Sequence, residues 1–127
     1  MDNYQALQSF WDSFGIDAYD DQTVFTDGQS PAYPHITYES FSGSWEARRT
    51  LSANLWSRST SWAWLKQKAE EIRQTIGSGI TKSVDNGIIW FRIPEYTAFS
   101  QVISSGSIDD LVKRVLLSVE VEFLTVR

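Results

Sequence analysis

The chain has 127 residues, a formal net charge of -5 and a pI near 4.7, with no cysteine, one histidine and eighteen aromatic residues (six Trp, seven Phe, five Tyr). This length fits one domain, residues 1–127, whose folding hides roughly 65% of the surface of the unfolded chain. Disulfides, thiolate metal sites and thiol catalysis are excluded, and an acidic chain gains little by releasing counterions from nucleic acid, so specific DNA binding is not expected.

No stretch has the unbroken apolar length of a membrane helix. Met1-Asp2-Asn3-Tyr4 lacks the basic start and apolar run of a secretory signal, so the expectation is a soluble intracellular protein, or one assembled from the cytosol. Eighteen aromatic side chains are many for a domain of this size to bury, and some are expected to face other subunits.

Tyr4, Leu7, Phe10, Trp11 and Phe14 recur at spacings of three and four, which predicts an amphipathic helix stopped at Gly15. From Ile16 to Pro34 the sequence is punctuated by aspartates, Gly28 and two prolines and reads as loop, with Thr23-Val24-Phe25 as a short strand inside it. His35 to Phe41 reads as a strand with Ile36 and Tyr38 on one side. Gly43 to Arg49 reads as a loop or hairpin connection. Thr50 to Arg58 alternates Leu51, Ala53 and Leu55 against Ser52, Asn54 and Trp56, a half-buried strand with Trp56 on the less apolar face.

Ser59-Thr60-Ser61 offers N-cap residues for a second helix, whose stripe is Trp62, Leu65, Ala69, Ile72 and Ile76 and whose end is Gly77 and Gly79. Lys66, Glu70 and Arg73 lie opposite that stripe. Asp85-Asn86-Gly87 between Ile80–Val84 and Ile88–Ile93 predicts a hairpin. Ala98 to Ser107 is polar and reads as loop. Val112 to Val126 is a long alternating strand, with Val115, Leu117, Val119, Val121 and Phe123 on one face and Ser118, Glu120 and Glu122 on the other. The expected fold class is α+β: an antiparallel sheet of about four main strands with two amphipathic helices packed on one face.

Candidate chemistry is sparse. His35 alone cannot make a multi-histidine site, and Asp17, Asp20, Asp21 and Asp27 do not follow the calcium-loop spacing. No Gly-x-Ser-x-Gly elbow is present. Gly77-Ser78-Gly79 follows a helix where a phosphate loop precedes one. Glu120 and Glu122 point the same way along a strand, which leaves a paired-carboxylate enzyme as a rival reading. No catalytic residue, metal ligand or cofactor is assigned. Arg48 and Arg49 near Trp45, and Arg58 near Trp56 and Trp62, are the clusters of arginine with tryptophan, a pairing common at protein interfaces. Trp45, Arg48, Arg49, Trp56 and Arg58 are therefore the candidate subunit-interface residues.

Four segments carry a family resemblance. Tyr33-Pro34-His35-Ile36-Thr37-Tyr38 resembles a Tyr-Pro-Tyr-Ile-Thr-Tyr type segment of tail-terminator and "minor capsid" proteins of long-tailed bacteriophages, with His35 where that pattern has an aromatic. Leu55-Trp56-Ser57-Arg58-Ser59-Thr60-Ser61-Trp62 is similar to the strand-to-helix junction of those proteins. Asn86-Gly87-Ile88-Ile89-Trp90 and the run from Val112-Lys113-Arg114 to Val119-Glu120-Val121-Glu122-Phe123-Leu124-Thr125 are similar to their later strands. The order is shared along most of the chain.

The resemblance implies a non-enzymatic virion protein, assembled in the host cytoplasm: a homo-oligomeric ring of six at the head-proximal end of the tail. Its implied partners are the tail tube protein and the head–tail connector protein. DNA would pass through the ring without specific binding, and no membrane is involved. The neighbouring alternatives are a head-completion or connector adaptor of the same virion and, from other classes, a small acid–base enzyme or a regulatory binding module.

Overall fold

Asp2 starts the first helix by a reciprocal cap. Its carboxylate accepts from the Gln5 N–H (2.8 Å), and its own N–H donates to Gln5 Oε1 (2.9 Å). The computed structural model describes residues 1–23, 25, 31–40 and 48–125. Within it the order is α1 (Asn3–Asp12), β1 (Asp17–Asp20), β2 (His35–Tyr38), β3 (Arg49–Arg58), α2 (Ala63–Ile76), β4 (Ile80–Val84), β5 (Gly87–Arg92), β6 (Ser100–Ile103) and β7 (Val112–Thr125).

The seven strands make one sheet in the order β1-β2-β3-β7-β5-β4, with β6 pairing β7 beside β5. β1 runs parallel to β2 and the other pairs are antiparallel. The sheet curls into a half-barrel, and the chain is mostly β. This corrects the expected antiparallel sheet of about four strands with helices on one face. The difference lies in β1 and β6, four residues each, set in the polar segments read as loops. Neither has enough alternating apolar residues to announce a strand: β1 buries Ala18, and β6 is largely exposed.

What makes β1 a strand is tertiary. The Ala18 N–H donates to Asp12 Oδ1 (3.2 Å) and its carbonyl accepts from Gln8 Nε2 (2.9 Å), both on α1. α1 touches both β1 and β4, the two ends of the strand path, and so spans the gap that the curl leaves open. α2 lies against β3 and β7 in the middle.

The periodic elements follow their patterns closely. α1 buries Ala6, Leu7, Phe10 and Trp11, and α2 buries Leu65, Ala69, Ile72 and Ile76. Their partners on the sheet include Ile36, Leu51, Leu55, Phe91, Leu117 and Val119, all in one buried cluster. Phe10 stacks on Phe91 with centroids 4.0 Å apart and planes 7° from parallel, and meets Trp11 and Phe14 edge-on.

Ends are displaced more than interiors. The residue that caps α2 is Trp62, without a side-chain cap, while Ser61 Oγ accepts from the Ala63 N–H (3.0 Å). Gly77 (φ 52°) closes that helix as expected. Arg73 pairs with Glu70 along its exposed side. The tight turn of the hairpin is Asp85-Asn86, and Gly87 already pairs with Val84. Val24 and Phe41 lie outside the described residues, whereas Thr23 and Phe25 are not in a strand.

Phe10 fills the centre of the contact between helix and sheet and is fully buried. Replacing it with alanine removes the stacked ring and leaves a cavity, so Phe10→Ala is expected to lower stability by about 3–5 kcal/mol. Urea unfolding followed by tryptophan fluorescence measures this as a lower midpoint at unchanged slope.

Candidate interface on the outer sheet face

Strand alternation places one set of side chains on the face away from the core, and that set joins tryptophans to arginines and glutamates. β3 turns Asn54 and Trp56 to it, β2 His35 and Thr37, β7 Arg114, Glu120 and Glu122, and β5 Trp90 and Arg92. Two clusters result.

The first is built on Trp56. Its indole N–H donates to Thr37 Oγ1 (2.9 Å), and its ring stacks with His35 (centroids 6.2 Å, planes 17° apart). Arg114 lies over the other flank of the indole, 5.5 Å from the ring centroid. The same guanidinium donates to the Ser104 carbonyl (2.8 Å) and to Asn54 Oδ1 (3.4 Å), tying the segment after β6 to the sheet.

His35 is buried and also meets Tyr19 and Tyr33; its Nδ1 donates to the Ala32 carbonyl (3.1 Å). Burial pushes its pKa below the ordinary 6.5, against the opposing pull of that hydrogen bond.

The second cluster is an ion network. Arg92 reaches Glu120 (3.2 Å) and Glu122 (3.3 Å), and Arg48 reaches the same two residues at 3.0 and 3.8 Å. The Arg92 guanidinium also lies 4.2 Å from the centre of the Trp90 ring. Trp90 is held by Gly79: a Cβ there would stand 2.0 Å from the indole nitrogen, and the backbone has φ +137°. Gly79 thus permits a close approach of backbone to indole, a role beyond ending α2.

Hydrogen bonding to Arg92 holds the Glu120 carboxyl below its ordinary value, with desolvation opposing. Glu120, on β7, thus holds its negative charge between Arg92 and Arg48.

The candidate interface residues divide accordingly. Trp56 and Arg48 belong to this outer face, in separate clusters. Arg58 stands at the end of β3 and pairs with Asp109 (2.9 Å), not with Trp56 or Trp62. The cation over Trp62 is Lys113, at 5.6 Å. Arg49 pairs in register with Val121 at the start of β3. Trp45 and Asp27 lie outside the described residues. Among the described residues no group of three or more His, Cys, Asp or Glu gathers as a metal site. Asp20 and Asp21 instead accept from the backbone and side chain of Gln22, respectively.

Sequence reading missed Arg92 and Arg114 as the cations of the two tryptophan clusters. Arg114 is 58 positions from Trp56, and only the β3–β7 register, Trp56 opposite Arg114, makes them neighbours. An open groove of about 330 Å³, lined by Tyr33, Pro34, Ser57, Arg58, Ser59 and Trp64, lies at the same end of β3 as the Arg58–Asp109 pair.

Comparison with known protein families, with curated proteins and with solved structures finds no match. Among the described residues no helix is long and apolar enough to cross a membrane.

Arg92→Ala leaves two half-buried glutamates side by side with only the more exposed Arg48 between them. A loss of about 1–3 kcal/mol at neutral pH is expected. The depressed Glu120 pKa contributes stability that is present above 4.5 and lost as pH falls through the folded-state value. The gap between wild type and Arg92→Ala therefore narrows below pH 4.5, measurable by urea unfolding across a pH series.

His35 has the same sense at higher pH. Its lowered pKa makes the unfolded chain the better proton acceptor, so the fold loses stability as pH falls below 6.5. His35→Phe is expected to remove that part of the pH dependence in thermal melts between pH 5 and 7.5.

Proposed function

We propose that the chain is a structural subunit of a tailed bacteriophage, forming a ring of six that caps the head-proximal end of the tail tube. The ring ends tube polymerisation and joins the tail to the head connector.

The observation that carries this reading is where the four family-like segments lie. They are scattered in sequence, yet they form β2, the β3-to-α2 junction, the start of β5 with its turn, and β7. In the sheet these are the contiguous strands β2-β3-β7-β5. The resemblance thus falls on one block of the fold, as it does when a common scaffold is the thing retained.

The outer face of that block supports an assembly role. Tryptophan and arginine are over-represented at the centres of protein interfaces, and here they are pre-ordered: Trp56 by Thr37 and His35, Trp90 by Gly79 and Arg92. Side chains already held in place lose little entropy on docking. Trp56 and Arg48 on this face, with Trp45, Arg49 and Arg58, are the proposed subunit contacts. The ring would use a heterologous contact, in which one patch meets a different patch on the neighbour. The net charge of -5 suits a passage through which DNA slides without sticking.

Electron microscopy of particles assembled without this protein tests the reading. Overlong or unjoined tails are expected, with recovery on adding the purified chain. Normal tails beside heads that leak DNA would replace it with a connector adaptor, and unchanged particles would refute both.

A further inference from the structure

Among the described residues β1, β4 and β6 are the strands paired on one side only, and they are not alike. On β1 the hydrogen-bonding groups of Ala18 are taken by Asp12 and Gln8 of α1, and Asp17 and Asp20 stand at its ends. β4 lies against α1 and has Lys82 at its centre, and a lysine on an edge opposes further pairing. β6, Ser100-Gln101-Val102-Ile103, carries no charge and no proline, and its first three residues are exposed.

The register shows what that edge offers. The Ser118 N–H donates to the Phe99 carbonyl (2.8 Å), and pairing continues from Ser100↔Leu117 to Ile103↔Arg114. Alternation in an antiparallel ladder then turns the N–H and C=O of Gln101 and Ile103 toward β7 and those of Ser100 and Val102 away from it.

We propose that this open edge pairs with β6 of a second copy of the chain, antiparallel about a two-fold axis at Gln101, joining two sheets into one. A second copy has its β1 and β4 blocked in the same way, so β6 is the edge it can present. An uncharged strand suits such an axis, where residue 101 faces itself and Ser100 faces the partner subunit's Val102. Val102 is 51% exposed, Tyr96 just before β6 is 95% exposed and Ile108 just after it is fully exposed, which supplies apolar surface on both flanks of the pair. The contact is isologous and closed, distinct from the heterologous contact of a ring, and it masks an edge that would otherwise template aggregation. It requires neither a virion nor a tail tube.

The chain has no cysteine, so a single introduced thiol reports the contact. At a non-hydrogen-bonded pair on the axis the two Cα atoms lie about 4.5 Å apart, within disulfide range. Gln101→Cys under mild oxidation is expected to give a two-chain disulfide species, while Glu71→Cys, exposed on α2, gives little. The wild type is expected to sediment with a two-chain component.

Val102→Pro removes the outward N–H and leaves the β7 ladder intact. In the Gln101→Cys background it should cut cross-linking at least about tenfold, the effect of losing about 1.4 kcal/mol of association, with an unchanged circular dichroism spectrum. If the proline variant unfolds, Val102→Lys gives the same reading with the backbone unaltered. Cross-linking no greater than that of Glu71→Cys, or cross-linking that persists in a folded Val102 variant, overturns the proposal. A wild type that stays single-chain at about 100 µM, a concentration at which even weak micromolar pairs form, does the same.

Discussion

The stack of Phe10 on Phe91 ties the N-terminal helix to β5, far along the chain, and the rest of the architecture depends on it. A strongly curled sheet has two ends that must be covered. Here one helix covers both, touching β1 on one side and β4 on the other. The Phe10 ring sits where helix and sheet meet, flanked by Trp11 and Phe14. From that anchor the polar side of α1 reaches outward. Gln8 and Asp12 hold Ala18, and Tyr38 donates its hydroxyl hydrogen to Gln8. That network places the Tyr38 hydroxyl in a partly buried, acidic neighbourhood, and its pKa is pushed up to about 12 by burial first and by nearby aspartates second.

Closing the sheet on one side leaves the opposite face free for other use. That face is amphipathic at fine grain: guanidinium groups lie over tryptophan rings, and the arginines are anchored by glutamate, asparagine or a carbonyl. Such an arrangement keeps large apolar area near the surface without leaving it loose. Glu120 and Glu122 are the acidic side of one of these clusters. Their charge is already matched by Arg92 and Arg48.

Three kinds of feature were legible in the linear chain. The helical stripes of α1 and α2, the alternation of β3 and β7 and the Asn-Gly hairpin all depend on periodicity or on turn chemistry within a few residues. The pattern fixes the ends of each to within a residue or two. Alternation puts Trp56 on the less apolar face of its strand, and it lies on the outer face. The Asp2–Gln5 capping box, which the stripe does not reveal, comes from the structure and marks the start of α1 more sharply.

The sequence by itself determined the helices, the long strands, their apolar faces and the surplus of aromatic side chains, because those follow from local geometry. Only the tertiary structure decided that β1 and β6 are strands, that β1 runs parallel to β2, that the sheet curls, and that Arg114 serves Trp56 while Arg92 serves Trp90. A four-residue strand has too little local preference to form alone; its hydrogen bonds exist because another element is brought beside it. Cation and ring meet for the same reason, through a strand register that no neighbour in sequence specifies.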